Sequence, residues 1–184
     1  MNNSNSRIQP VQIIVGSMLG ATEYVAESLQ EVLQQHQIES HIHFQPDFKN
    51  ITKQGTWLIC SSTHGAGDLP DNIQQFSKDL IGAKSSGELC NTQFTVIALG
   101  DTSYDTFCQA GKALYQQMQD AQSKAIADML CIDVMEHAIP EEPACEWVTQ
   151  LLTDGSFLND KASMKENTLT PEETELEEKP LASS

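Results

Sequence analysis

The chain of 184 residues sets 26 acidic side chains against 10 basic ones, for a net charge of −16, with 39% hydrophobic residues and a mean hydropathy of −0.34. That length suits one domain with a single sizeable core. No apolar run approaches the roughly 18 residues that cross a bilayer, and so negative a field repels nucleic-acid backbones and anionic lipid while attracting basic proteins.

Five scattered cysteines without a C-x-x-C pair argue against a disulfide framework or a zinc site. The apolar stretch after Arg7 is broken by Gln12 and serves better as a strand than as a signal peptide, so a cytoplasmic protein without nucleic-acid or membrane partners is expected.

In chain order, residues 1–9 are polar and read as a disordered head. Val11 to Val15 is a buried strand ending at Gly16, and the apolar spacing from Val25 to Leu33 predicts a helix reaching about Gln37. The turn between them, Ser17 to Thr22, holds no Lys or Arg, unlike a Walker loop. Its S-x-x-G-x-T pattern suits either one phosphate at the helix start or an ordinary turn with Thr22 as N-cap.

The alternation His41, Ile42, His43, Phe44 predicts a half-buried edge strand, and Trp57 to Cys60 a buried one. A glycine-rich loop, Ser61 to Asn72, follows, and then a helix carrying Ile73, Phe76 and Leu80. Residues Ala83 to Thr92 read as a loop, Phe94 to Leu99 as the central strand, and Gly100 to Asp105 as a third loop before a helix with Phe107, Ala110, Leu114 and Met118 on one face. Leu130 to Val134 gives a fifth strand, and Pro143 starts a last helix with Trp147, Val148 and Leu151. Residues 159–184, rich in glutamate, read as a disordered acidic tail behind a domain at 10–158.

Strands alternating with helices predict an α/β fold: a doubly wound, five-stranded parallel sheet in the order 2-1-3-4-5, with helices on both faces. In that order the loops after strands one, three and four converge at the switch point, where ligands bind. His64 and Tyr104 then flank a phosphate turn, an arrangement better explained by bound flavin mononucleotide (FMN) than by unrelated loop residues.

Five runs carry a resemblance: Gly16-Ser17-Met18-Leu19-Gly20, Thr63-His64-Gly65-Ala66-Gly67-Asp68, Pro70-Asp71-Asn72, Tyr104-Asp105-Thr106-Phe107-Cys108 and Ile139-Pro140-Glu141-Glu142-Pro143. Over about residues 10 to 155 the chain resembles the flavodoxin family, in particular its MioC-type short members, and the same loops are similar to the flavin domain of diflavin reductases. The resemblance implies that Ser17, Gly20, Ala21 and Thr22 bind the FMN phosphate, that His64 and Tyr104 line the ring, and that Ser62, Thr63, Gly65, Gly100 and Asp101 border it. Met18, Leu19, Ala66, Gly67, Leu99, Phe107 and Cys108 complete the candidate set. Leu19 stands where many flavodoxins have a threonine, which removes one hydroxyl from the phosphate site.

The resemblance further implies a diffusible one-electron carrier. A basic, NADPH-dependent flavodoxin reductase would reduce it, and an acceptor enzyme, with biotin synthase as one example, would oxidise it. No acid–base pair or metal-ligand cluster stands out, so no catalytic residue and no metal are assigned. A flavin-dependent reductase and a flavin-free interaction protein on the same fold are the rival readings.

Overall fold

The computed structural model describes residues 9–157; all but the last residue of the polar head and the whole of the acidic tail expected from the sequence lie outside the described residues. The strands are β1 (Val11–Gly16), β2 (Ser40–His43), β3 (Gly55–Ser62), β4 (Thr92–Gly100), β5 (Lys124–Ala125) and β6 (Leu130–Asp133). The helices are α1 (Ala21–Gln35), α2 (Gln74–Gly82), α3 (Gln109–Asp120) and α4 (Glu141–Thr153). All strand pairings are parallel, in the order β2-β1-β3-β4-β5, with β6 also pairing β4. The expected order is therefore present, with β3 at the middle and β4 beside it.

The period of two along each strand splits the core into two layers. Ile13, Val15, Leu58, Cys60, Ile97 and Leu99 face α1 and α4, where Val25, Leu29, Leu33, Val148 and Leu151 meet them. Ile14, Trp57, Ile59, Phe94 and Val96 face the other way, toward Phe76 and Leu80 of α2 and Leu114 and Met118 of α3. Phe48, Trp57 and Phe76 pack as a ring cluster with centroids 5.8 to 6.2 Å apart. The Trp57 indole N–H donates to the Thr52 carbonyl at 2.8 Å, so its one polar atom is satisfied.

Gln12, the polar residue inside the buried first strand, has partners on both sides. Its amide donates to the Pro10 carbonyl at 2.9 Å, and its Oε1 lies 2.8 Å from Nε2 of His43 on β2. Burial pushes the His43 ring below its ordinary pKa, as does the neighbouring His41. His43 therefore belongs to a satisfied strand-to-strand contact.

The fifth strand differs from the expectation. Its place beside β4 is filled by two short pieces, and Val134 lies beyond the second. Between them the ladder is replaced by other bonds. Ile126 N–H donates to the Phe94 carbonyl at 2.9 Å, the buried Thr95 hydroxyl lies 3.5 Å from the carbonyls of Ala127 and Asp128, and the Tyr115 hydroxyl reaches Ala127 at 3.4 Å. The last helix begins at Glu141, two residues before Pro143, which sits in its first turn where a missing N–H costs nothing.

Candidate functional site

The carboxyl ends of β1, β3 and β4 carry three loops that meet above the sheet, where open α/β sheets take their ligands. Two hollows lie there. One, of about 190 Å³, is lined by Ser17, Met18, Leu19, Ala21, Thr22, Ser62, Thr63, His64, Leu99, Gly100, Asp101 and Val134. The other, of about 480 Å³, is lined by Thr63, Gly65, Asp101, Tyr104 and Thr106. Thr63 and Asp101 line both, so the hollows adjoin, a narrow compartment beside a wide one along one cleft of the surface.

The narrow end is built on the turn from β1 to α1. Gly20 is the residue before the helix, at φ +90, a left-handed backbone that a side chain resists. Its N–H donates to the Ser17 hydroxyl at 3.0 Å, and its carbonyl accepts from the N–H groups of Glu23 and Tyr24. Thr22 is thus inside the helix and not its cap; its buried hydroxyl donates to the Gly16 carbonyl at 3.0 Å. The N–H groups of Ala21 and Thr22, in the first helical turn, have no acceptor within the helix and carry the positive end of its dipole.

One side chain absent from the expected site set fixes this turn. Asn72, just ahead of α2, accepts from the Ser17 N–H at 3.0 Å through Oδ1. Its amide nitrogen donates to the carbonyls of Val15 and Phe44, each at 2.8 Å. A single amide therefore joins the ends of β1 and β2 to the start of the turn that leads into α1. Residue type alone could not reveal it, because the contacts span 55, 57 and 28 residues.

Beyond β3 the loop folds back on itself: His64 N–H donates to Asp68 O at 2.9 Å, and the N–H groups of Gly67 and Asp68 return to His64 O at 3.1 and 2.7 Å. Gly67, at φ +113, closes this turn with its α-carbon against Thr106 and Gln109, where a Cβ would stand 3.2 Å from side-chain carbons. The Thr63 hydroxyl accepts from Ala110 N–H in the first turn of α3 at 3.3 Å, tying the second loop to the helix behind the third.

The third loop hangs between Gly100 and Cys108. Asp101 Oδ1 accepts from Ser103 N–H at 2.8 Å and from the Ser103 hydroxyl. Asp133 at the end of β6, only 6% exposed, accepts from the hydroxyl and N–H of Thr102 and from Met135 N–H at 3.0 Å. The Thr102 hydroxyl, then the Met135 N–H, holds its carboxyl below the ordinary carboxylate range. A depressed folded pKa contributes stability that is complete above the unfolded value and is lost as pH falls through the folded one. Asp133→Asn should therefore lower the melting temperature at neutral pH and flatten its acid limb relative to the native protein. Parallel acid limbs in pH-resolved thermal melts would show that Asp133 does not hold this loop.

Most expected site residues line the cleft, His64 in the narrow compartment and Tyr104 in the wide one. Gly20, Ala66, Gly67, Phe107 and Cys108 do not. Gly20 shapes the turn between β1 and α1, Ala66 lies exposed between the two turn glycines, and Phe107 and Cys108 pack behind Gly100. Val134 and Thr106 are lining residues absent from the expected set; Val134 reads as strand from its apolar neighbours and is in fact an exposed residue on the cleft wall.

The donor set fits a phosphate-bearing planar molecule. Among the described residues neither compartment is lined by Lys or Arg, so an anion at the narrow end would rest on the Ser17 hydroxyl and the helix N–H groups, with Met18, Leu99 and Val134 supplying apolar wall. Leu19, where a hydroxyl would be expected, is 96% exposed at the mouth. Among the described residues no group of three or more His, Cys, Asp or Glu is placed to hold a metal ion, and no helix is long and apolar enough to cross a membrane.

Comparison with known proteins gives a consistent set of similarities. The flavodoxin family model matches residues 13–147. Protein MioC of Escherichia coli strain K12 is 38% identical over 149 residues, spanning 81% of this chain and 96% of that protein. A MioC homolog of Pasteurella multocida is 37% identical over 141 residues, spanning 77% and 95%. Among solved structures, a cysteine-to-alanine mutant of flavodoxin from Pseudomonas aeruginosa superposes with a TM-score of 0.74 at 26% identity, covering 82% of this chain and 100% of that one.

Proposed function

The chain belongs to the flavodoxin family, and from that premise we propose that it holds FMN in the cleft and carries electrons one at a time between two proteins in the cytoplasm. The donor is a basic, NADPH-dependent flavodoxin reductase; the acceptor is an enzyme such as biotin synthase. FMN bound there supplies the one-electron redox chemistry. The chain's residues bind it, orient it and set the field around it.

The observation that carries this reading is that the two compartments adjoin, sharing Thr63 and Asp101 as walls. That adjacency supports a phosphate held at Ser17 with the ring reaching toward Tyr104. Ser17, Ala21 and Thr22 take the phosphate; His64 and Tyr104 border the ring. The surrounding acidic residues raise the free energy of each added negative charge, which separates the two electron-transfer steps.

Titrating the apoprotein with FMN tests it: one equivalent should bind and quench flavin fluorescence, and riboflavin, lacking the phosphate, should bind at least about tenfold more weakly, a difference of ~1.4 kcal/mol. No binding of either would overturn the reading. Oxidation of NADPH should require the added reductase; unaided turnover would make the protein an enzyme in its own right.

The face around the cleft suits a basic partner. Asp68, Asp71, Asp105 and Glu142 are exposed on the loops or on the first turn of α4 at this end of the sheet, with Met18, Leu19, Met135 and Ile139 as exposed apolar residues nearby. Reduction by such a reductase should slow steeply as salt is raised, because steering by exposed charge is screened beyond about 10 Å at 0.1 M. Stopped-flow rates that are flat with ionic strength would remove the charge-steered donor.

A further inference from the structure

We propose that Cys108 and Cys131 are a redox-active dithiol, which a hydroperoxide converts to an intramolecular disulfide at the base of the 101–107 loop.

The backbone brings the two together. Cys131 lies on β6 in register with Ala98 of β4. Leu130 and Ile132 on either side face the α1–α4 layer, so Cys131 points to the opposite face, where α3 packs. Cys108, in a left-handed conformation at φ +56 just ahead of α3, is fully buried and places its sulfur 3.5 Å from the Ala98 carbonyl. Both cysteines thus lie at Ala98 on the α3 face of the sheet, Cys131 through its strand register and Cys108 through its sulfur's contact with the Ala98 carbonyl.

Their environments give them unequal parts. Cys131 is partly exposed on a short strand with no strand beyond it in the sheet among the described residues, open to a small oxidant. Its thiol is lowered to about 7, chiefly by the neighbouring Cys108 thiol, with the charge of Lys112 acting in the same direction. The neighbouring Cys131 and then burial push the Cys108 thiol far up. The other cysteines lack this pairing. Burial pushes Cys60 up to about 12 and raises Cys145, both on the opposite face of the sheet, and Cys90 is exposed on a loop.

The chemistry closes without a further reactant. Cys131 thiolate attacks one peroxide oxygen; an S–O bond forms, the O–O bond breaks and hydroxide leaves. Cys108 sulfur then attacks the Cys131 sulfenic acid; the S–S bond forms, the S–O bond breaks, and the departing hydroxide takes the Cys108 proton as water. The dithiol loses two electrons, and the hydroperoxide gains them.

The test is intact-mass and peptide mapping of the full-length protein after hydrogen peroxide, quenched with an alkylating agent under denaturing conditions, with Cys90→Ser in parallel to keep intermolecular bridging out. The expected product has lost two hydrogens, maps to a Cys108–Cys131 bridge, and regains both thiols with dithiothreitol. Cys108→Ser should instead leave an oxygen adduct on Cys131 that dimedone traps. Should that variant fail to fold, the mapping of the native chain decides alone. A bridge between another pair, or full alkylation of Cys108 and Cys131 after exposed Cys90 has been oxidised, would overturn the proposal.

Discussion

Asn72→Ala should weaken FMN binding on the order of tenfold while leaving riboflavin affinity nearly unchanged. Its hydrogen bonds go to Ser17, Val15 and Phe44, none of which lines the wide compartment, so it acts through the turn that presents Ser17. Removing it strands the Ser17 N–H and takes one donor from each of the Val15 and Phe44 carbonyls. An unpaired, partly buried backbone group costs about 1–3 kcal/mol, so destabilisation of about 2 kcal/mol in denaturant titrations is expected as well. Asn72→Asp separates position from charge. It keeps an acceptor for the Ser17 N–H but loses both donor bonds and adds a negative charge behind the phosphate turn. It should therefore bind FMN more weakly than the alanine variant, again sparing riboflavin. Equal losses for the two flavins would mean that Asn72 supports the fold at large and not the phosphate end.

Such a residue marks the boundary of what the sequence discloses. The runs around Ile14, Ile59 and Val96 read as strands because burial on both faces leaves continuous apolar stretches, and α1 and α3 read as helices because one side of each is apolar at helical spacing. The cleft was legible too: glycines and hydroxyls at three strand ends imply convergence once the strand order is set. What stayed hidden depended on contacts between distant segments. Ser61 and Ser62 extend β3 because they pair with Gly16, Ala98 and Leu99, although hydroxyl residues after an apolar run read as loop. Lys124–Ala125 is too short and too polar to show a period, and exists as a strand through its pairing with Gln93 and Phe94. Phe107 and Cys108 share a sequence run with Tyr104, yet the chain turns between them, leaving Tyr104 62% exposed and Cys108 fully buried.

That turn makes Gly100→Ala the second large effect. The α-carbon of Gly100 sits where β4 ends, paired with Asp133 and lining the narrow compartment. A Cβ there would lie 2.7 Å from the Cys108 backbone nitrogen, 2.8 Å from its sulfur and 2.8 Å from Phe107 Cδ2. Side chains could rotate aside, but the backbone nitrogen cannot, so the strand or the start of α3 must move. Overpacking of this kind costs about 1–3 kcal/mol. The displaced segment also carries Asp101, Tyr104 and Thr106, so FMN and riboflavin should both bind more weakly, in contrast to the phosphate-selective loss at Asn72. Adding Cys108→Ala should not restore stability, since the closest atom is main chain; recovery in the double variant would place the conflict on the sulfur instead. Gly82→Ala supplies the opposite sign. No atom lies within 4 Å of its Cβ position and it closes α2 without a positive φ, so replacement should be neutral or stabilise by up to about 1 kcal/mol through helix propensity. If Gly100→Ala and Gly82→Ala melted alike, close approach at Gly100 would not be what fixes the third loop against the cleft.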